Sequence, residues 1–328
     1  MQDFDFDERD LRLLHALQVR PRAPWATLAP AVGADPVTLA RRWEQLQEQG
    51  LAWIGCYQGA GRGVVMAFLE IECAPSSMAP VTEELAGDPE VLTIDLTAGG
   101  RDMVVTLVCR DDAELSRYVL DRLSTVEGIR SMRTHRSIQV VADAQVWRLR
   151  SLSTGEVKAL ERAVAPPREL LSRVPADIED GLLRILRADA RASVSRISGE
   201  LGISQARARS ALSTVLAQQR VVIRLEVARP YSGWPVYVWF FMRVPATQVG
   251  SVAGKLVGLD EVRLVTTTVG NYSLVVAVWL RRIEDITLLE RHLGERLPFA
   301  EIVDRSIVLR TPKHLGIRLD ASGRRIVG

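Results

Sequence analysis

The chain repeats itself, and this limits the architectures open to it more than any other feature. Residues 8–54 fall on residues 177–223 at a shift of 169, with no gap. Leu13 and Leu14 fall on Leu182 and Leu183, Leu17 on Leu186, Arg22 on Arg191, Leu28 on Ile197 and Gly33 on Gly202. Further along, Gly99-Gly100-Arg101-Asp102 falls on Gly270-Asn271-Tyr272-Ser273. Two segments repeated in the same order predict a duplicated unit with two parts.

The first part of each unit predicts three short helices. Leu11, Leu13, Leu14 and Leu17 make a helical apolar stripe that Pro21 and Pro24 end. Leu28 and Val32 mark a second helix, and Gly33 supplies a turn. Asp35-Pro36 opens a third helix, since Asp caps a helix start and Pro suits the first helical position. In that helix Leu39, Trp43 and Leu46 face inward, Thr38, Arg41, Arg42 and Gln45 face outward, and Gly50 closes it. In the second copy Ser204 is the cap and Ala208, Leu212 and Val215 face inward, with Gln205, Arg207 and Arg209 at the outward N-terminal end. Two helices joined by a tight Gly turn, the second with polar outward residues, describe a helix-turn-helix, whose third helix fits a DNA major groove. A plain three-helix bundle with a solvated face gives the same pattern. Residues 8–54 hold six Arg against five acids and residues 177–223 seven against five, but the third helix of the second copy holds no acid.

The second part predicts a β-α-β-β-α-β order. Strands are expected over 64–71, 92–96, 103–109 and 129–141, with helices over 78–86 and 113–126. The second copy repeats the order, with strands over 236–244, 262–268, 273–280 and 302–310 and helices over 247–257 and 283–297. Such a split βαβ sheet has one face covered by helices and needs its other face buried, which the sheet of the second copy can do. The turns at Gly99–Asp102 and Gly270–Ser273 serve as hairpin turns, or hold a ligand through Asp102, Ser273 and their neighbours Asn271, Gly99 and Gly270. The expected fold class is α+β, two tandem units, each a winged-helix-like helix-turn-helix domain followed by a ferredoxin-like domain. The expected boundaries are 1–58, 59–142, a linker over 143–174 broken by Pro166-Pro167, 175–230, 231–313, and a loose Arg-bearing tail over 314–328.

Composition excludes several classes. The net charge of +2 rules out a large basic field, so DNA contact must come from local arginines; only Lys158, Lys255 and Lys313 among the 42 basic residues are lysine. Cys56, Cys73 and Cys109 have no metal or redox spacing, and they predict reduced thiols in a cytoplasmic protein without a metal or cofactor. The acidic start is no signal peptide, and apolar runs such as 236–242 are too short to cross a bilayer. No catalytic triad, carboxylate pair or phosphate loop stands out, which predicts a non-enzyme.

The ordered elements resemble the Lrp/AsnC family, the leucine-responsive or feast-famine transcriptional regulators. The resemblance rests on Asp7-Glu8-Arg9-Asp10-Leu11-Arg12-Leu13-Leu14, on Asp35-Pro36-Val37-Thr38-Leu39-Ala40-Arg41-Arg42-Trp43-Glu44-Gln45-Leu46, and on the Gly-x-x-Asp turn at Gly99–Asp102. It implies a DNA-binding regulator modulated by a small metabolite such as an amino acid, with the two sheets paired as an intramolecular pseudo-dimer and pairs of chains building a homo-oligomer. The implied DNA-binding residues are Thr38, Arg41, Arg42, Gln205, Arg207 and Arg209. The implied effector residues are Gly99, Asp102, Gly270, Asn271 and Ser273. The second copy departs from the pattern with Ala211 in place of Arg42, Gln219 in place of Gly50 and Ser273 in place of Asp102. Siroheme decarboxylases share this architecture and form the rival enzyme expectation. They use clustered His, Tyr and Arg, and only Asn271-Tyr272 beside the central strand offers an echo. A sensing module without DNA binding is the third expectation.

Overall fold

A computed structural model describes residues 6–59, 63–145, 147–163 and 170–327. Its contacts divide the chain into two units, one holding residues 1–64 and 148–227, the other 65–147 and 228–326. The first unit thus gathers both helix-turn-helix copies, and the second gathers both ferredoxin-like halves.

In the first unit, α1 (Glu8–Val19), α2 (Trp25–Val32) and α3 (Pro36–Glu48) form one bundle. Asp7 and Asp10 cap α1 reciprocally, Gly33 turns the chain at φ 78°, and Asp35 accepts hydrogen bonds from the Val37 and Thr38 amides. Leu13, Leu14, Leu17, Leu28, Leu39, Trp43 and Leu46 are buried, as the apolar periodicity predicts. Strand β1 (Ala52–Gln58) follows.

The second bundle uses α7 (Ala176–Ala188), α8 (Val194–Leu201), α9 (Gln205–Ala217) and β6 (Val221–Val227), with Ser193 and Ser204 as caps and Gly202 at φ 63°. Strands β1 and β6 pair antiparallel, Ala52 opposite Val227 and Gln58 opposite Val221. Gly55 lies opposite Arg224, its own repeat equivalent at the shift of 169, so the ladder is symmetric about that pair. The repeated arginines obey the same symmetry. Arg22 donates to the Ala190 and Ala192 carbonyls, while Arg191 donates to those of Pro21 (2.6 Å) and Ala23 (2.7 Å).

Part of the expected linker belongs to this unit. Helix α6 (Thr154–Ala163) packs on the first bundle, where Arg12 pairs with Glu156 at 2.5 Å and Arg20 donates to the Leu160 and Glu161 carbonyls. The Leu152 amide donates to His15 Nδ1 at 2.8 Å. Burial first, then the charge of Arg148, pushes His15 down to about 4. The Pro166-Pro167 break lies outside the described residues.

In the second unit the first half comprises β2 (Val65–Cys73), α4 (Met78–Gly87), β3 (Val91–Ala98), β4 (Met103–Cys109), α5 (Asp112–Arg117, continued by a π turn over Tyr118–Arg122) and β5 (Ile129–Ala142). The second comprises β7 (Val236–Arg243), α10 (Val249–Val257), β8 (Val262–Val269), β9 (Leu274–Leu280), α11 (Asp285–Arg296) and β10 (Glu301–His314). Each half has the split βαβ strand order, β3-β4-β2-β5 and β8-β9-β7-β10. The expected burial of sheet against sheet is accompanied by edge pairing, β5 with β8 and β10 with β3, so that these eight strands close into a ring. Closure removes the free edges that an open sheet would present. The tail is not loose. Strand β11 (Ile317–Arg318) pairs with β10, Arg318 pairs with Glu83 at 2.5 Å, and Arg324 donates to the Tyr231 hydroxyl.

Strand alternation sorts the side chains of the ring. Val65, Ala67, Leu69 and Ile71 of β2 and Val238, Phe240 and Met242 of β7 join the cores under the helices. The opposite face is buried too, yet carries Phe68, Glu70, Asp95, His135, Tyr237, Trp239 and Thr266. Asp95 accepts hydrogen bonds from Trp239 Nε1 (2.9 Å) and Thr311 Oγ1 (2.7 Å), which offset part of its burial cost.

Candidate nucleic-acid interface

The third helix of each bundle presents the expected readers unequally. Thr38 and Arg41 are exposed on α3, and Gln205, Arg207 and Arg209 are exposed on α9. The Thr38 hydroxyl and amide hold the Asp35 carboxyl below the usual carboxylate range. Arg42 is placed differently. Its Nε and Nη2 donate to Asp10 Oδ1 and Oδ2, each at 2.6 Å, and Asp10 is buried. This bidentate pair makes Arg42 a brace between α3 and α1. In the second copy Glu179 stands in place of Asp10, Ala211 in place of Arg42, and Arg220 beyond α9 meets Glu179 at 2.7 Å. Sequence reasoning missed both pairs. The signal available to it was an acid on the apolar stripe of each opening helix.

The two turns of the ring are strongly bound to the fold. Asp102 Oδ2 accepts from the Cys73 amide at 2.7 Å, and Ser273 Oγ accepts from the Val244 amide at 2.7 Å, so both side chains clasp the end of a neighbouring strand. Gly99 and Gly270 adopt φ 129° and 133°, where a side chain is strained. A Cβ on Gly270 would come within 2.8 Å of His135 Nδ1. Gly99, Gly100, Gly270 and Asn271 are exposed.

Between these turns the interior gathers a cluster that the strand patterns did not reveal. Arg101 donates to Glu70, to Ser306 Oγ (2.6 Å) and to Asp304 Oδ2 (2.6 Å), and its guanidinium lies 4.0 Å from the centre of the Phe241 ring. His135 Nε2 lies 2.5 Å from Glu70 Oε1, and the His135 and Tyr272 rings are 5.0 Å apart. Against the upward push of burial, the bond from His135 and the charge of Arg101 hold the Glu70 carboxyl below its ordinary range. His135, Glu70 and Arg101 are each about 2–3% exposed; Glu70 is paired with both of the others, while His135 Nδ1 is buried without a hydrogen-bond partner among the described residues. Cys56, Cys73 and Cys109 are buried free thiols, and burial pushes them up to about 12, 11 and 12. Among the described residues no group of His, Cys, Asp and Glu is arranged to hold a metal, and no helix is long and apolar enough to cross a membrane.

Paired three-helix bundles and a closed ring of two βαββαβ halves define a duplicated helix-turn-helix and effector-domain protein. Residues 6–47 match the AsnC-type helix-turn-helix domain, and residues 66–147 match the Lrp/AsnC ligand binding domain. An HTH-type transcriptional regulator of Pyrococcus abyssi is 31% identical over 133 residues, which span 39% of this chain and 83% of that protein. The regulator AldR of Mycolicibacterium smegmatis is 27% identical over 137 residues, 40% of this chain and 80% of that one. The chain belongs to the Lrp/AsnC family. The crystal structure of the siroheme decarboxylase NirDL shares the fold across 94% of this chain and 93% of its own, with a TM-score of 0.58 and 14% identity.

Proposed function

We propose that the protein is a sequence-specific DNA-binding transcriptional regulator of the cytoplasm, modulated by a small metabolite, whose one chain does the work of a dimer. The observation that carries this is the symmetric pairing of two helix-turn-helix copies in one unit, each with exposed polar residues at the start of its third helix. Arg41, Arg207 and Arg209 supply contacts to phosphate or guanine, and Thr38 and Gln205 supply neutral contacts. Two non-identical readers suit an imperfect palindrome, since operator symmetry follows protein symmetry. The match to a ligand-binding domain supports the metabolite, and the exposed backbone of Gly99, Gly100, Gly270 and Asn271 is what the two turns offer it. Chains of this kind then associate further as homo-oligomers. The test is titration of labelled DNA from upstream of the gene across a salt series, with scrambled competitor present. Specific binding that weakens linearly in log salt is expected. Absence of any DNA binding at low salt overturns the proposal.

One observation favours a second reading, an enzyme resembling the siroheme decarboxylase. His135, Tyr272 and Arg101 do cluster, although they reach the site from β5 and the turns and not from the strand after them. The burial of Arg101 and His135 and their pairing with Glu70 make the regulator the stronger reading, because a bulky tetrapyrrole needs an open path to such groups. Titration with an iron porphyrin separates the two readings, since a shifted Soret band and loss of a carboxyl group as CO2 are expected only of the enzyme.

A further inference from the structure

The helical side of the second half carries a cavity that the DNA-binding reading does not use. It opens between α10, α11 and the end of β9 and has a volume of about 790 Å3, within the range of small-molecule sites. Leu280, Leu289, Leu293 and Leu297 line it with apolar surface, and Trp234 forms part of its wall. Lys255, Arg281 and Arg296 also line it and are exposed. Among the described residues none of these three cations has an ion-pair partner, and the Arg281 guanidinium lies 4.5 Å from the centre of the Trp234 ring. Two acids share the lining, Glu261 and Asp285, and Asp285 is engaged by the Arg282 amide at 3.0 Å.

The first half shows what this place looks like when the fold closes it. There Arg122 bridges Glu84 (2.9 Å) and Asp88 (3.2 Å), and the Tyr118 hydroxyl donates to Asp88 at 2.8 Å, tying α4 to the helix after β4. The repeat puts Lys255 in place of Glu84, Leu259 in place of Asp88 and Leu289 in place of Tyr118. His292 takes the place of Arg122, because the π turn of the first half inserts one residue. The second half has thus lost the clamp, reversed a charge and gained apolar lining. Exposed cations without an ion-pair partner beside an apolar cavity leave their charge available to a ligand.

We propose that this cavity is a binding site for a small amphipathic carboxylate, an aliphatic tail lying against the leucines and a carboxylate held by Arg281, Arg296 and Lys255. Arginine forks suit a carboxylate bidentately, and the leucines offer a tail its hydrophobic transfer energy. The site shares no residue with either reading helix or either turn, so it stands or falls without the DNA-binding proposal.

Calorimetric titration of the full chain with decanoate, below its micelle concentration and without DNA, tests it. Saturable binding at one site per chain is expected, with decanol weaker by about tenfold or more. Arg281→Ala with Arg296→Ala is expected to weaken decanoate by about tenfold or more with an unchanged Tm, because both side chains are exposed. A second variant carries Lys255→Glu, Leu259→Asp, Leu289→Tyr and His292→Arg, which restores the clamp of the first half, and it is expected to abolish binding. No saturable binding, equal binding of decanol, or an arginine variant that binds as the parent does would overturn the proposal.

Discussion

In the first helix-turn-helix copy the buried acid of the opening helix, Asp10, is met by Arg42 from the middle of α3. In the second copy the matching Glu179 is met by Arg220 from beyond α9. The same burial problem is solved from two places, and the choice changes the reading helix. On α3, Arg42 is spent on the brace, leaving Arg41 with Glu44, Glu48 and the capping Asp35. On α9 the brace lies elsewhere, the cap is the neutral Ser204, and Arg207 and Arg209 have no acid in their helix. A duplicated domain can therefore keep its fold while shifting the electrostatic work of binding to one copy.

The largest effect that separates the copies is set by pH. His15 is buried in the first copy, whereas its equivalent in the second, Arg184, is exposed. Because burial lowers His15 from 6.5 to about 4, the unfolded chain binds the proton more readily than the folded one. Stability is therefore complete above about pH 6.5, falls as pH drops toward 4, and below that has lost about 3 kcal/mol from this group. Urea unfolding at pH 7 and pH 4 checks this, and His15→Gln should flatten the acid limb by that amount. An unaltered limb would mean that other groups set it.

Next come the braces. Arg42→Ala and Arg220→Ala each leave a buried carboxylate without its main partner, at a cost of about 2–3 kcal/mol, less than for a fully buried pair because both arginines are partly exposed. If Arg42→Ala instead weakened DNA binding at unchanged thermal stability, the brace assignment would be wrong and Arg42 would return to the readers.

The symmetric arginines follow. Arg22→Ala and Arg191→Ala each strip two carbonyls of the other copy's turn, and each should cost about 2 kcal/mol. Burial pushes both guanidinium groups down, Arg191 to about 10, and Arg191 also lies 4.2 Å from the Trp25 ring centre, so its loss should be the larger of the two. Equal thermal shifts would show that the stacking contact contributes nothing.

What the sequence made legible here was periodic and local. The buried faces of α1, α3, α7 and α9, the caps at Asp35 and Ser204, and the exposure of Thr38, Arg41, Gln205, Arg207 and Arg209 follow from spacing alone. Arg22 and Arg191 were visible as a repeated pair, but not the reach of each into the other copy, since no local pattern encodes contacts 170 residues apart. The ring interior was illegible for a related reason. Glu70, Asp95 and His135 alternate with apolar residues as solvent-facing positions do, and only ring closure turns that face inward. Asp102 and Ser273 were legible as turn residues, whereas their clasp on the neighbouring strand depends on register.

The charge comparison then predicts unequal reading helices. Arg207→Ala with Arg209→Ala should weaken operator binding about tenfold and reduce the log–log salt slope by about 2, whereas Arg41→Ala should reduce it by about 0.5 or less, because Glu44, Glu48 and Asp35 offset its charge. Equal effects per arginine would show that the acids of α3 do not offset its charge. Both variants alter exposed side chains, so Tm should not move.

The smallest effect concerns the closing residue of the third helix. Gly50 sits at φ 66° and its equivalent Gln219 at φ 52°, so the second copy keeps a side chain where the left-handed backbone disfavours one. The closing bond is the same in both, Leu51 N to Leu46 O and Arg220 N to Val215 O, each 2.9 Å. Geometry is thus preserved and only its cost differs. Gln219→Gly should then stabilise the second bundle by up to about 1 kcal/mol, and Gly50→Ala should destabilise the first by about 1 kcal/mol. Denaturant midpoints measure both. A destabilising Gln219→Gly would mean that the greater freedom of glycine in the unfolded chain outweighs the relief of strain, and that this departure of the second copy carries no cost.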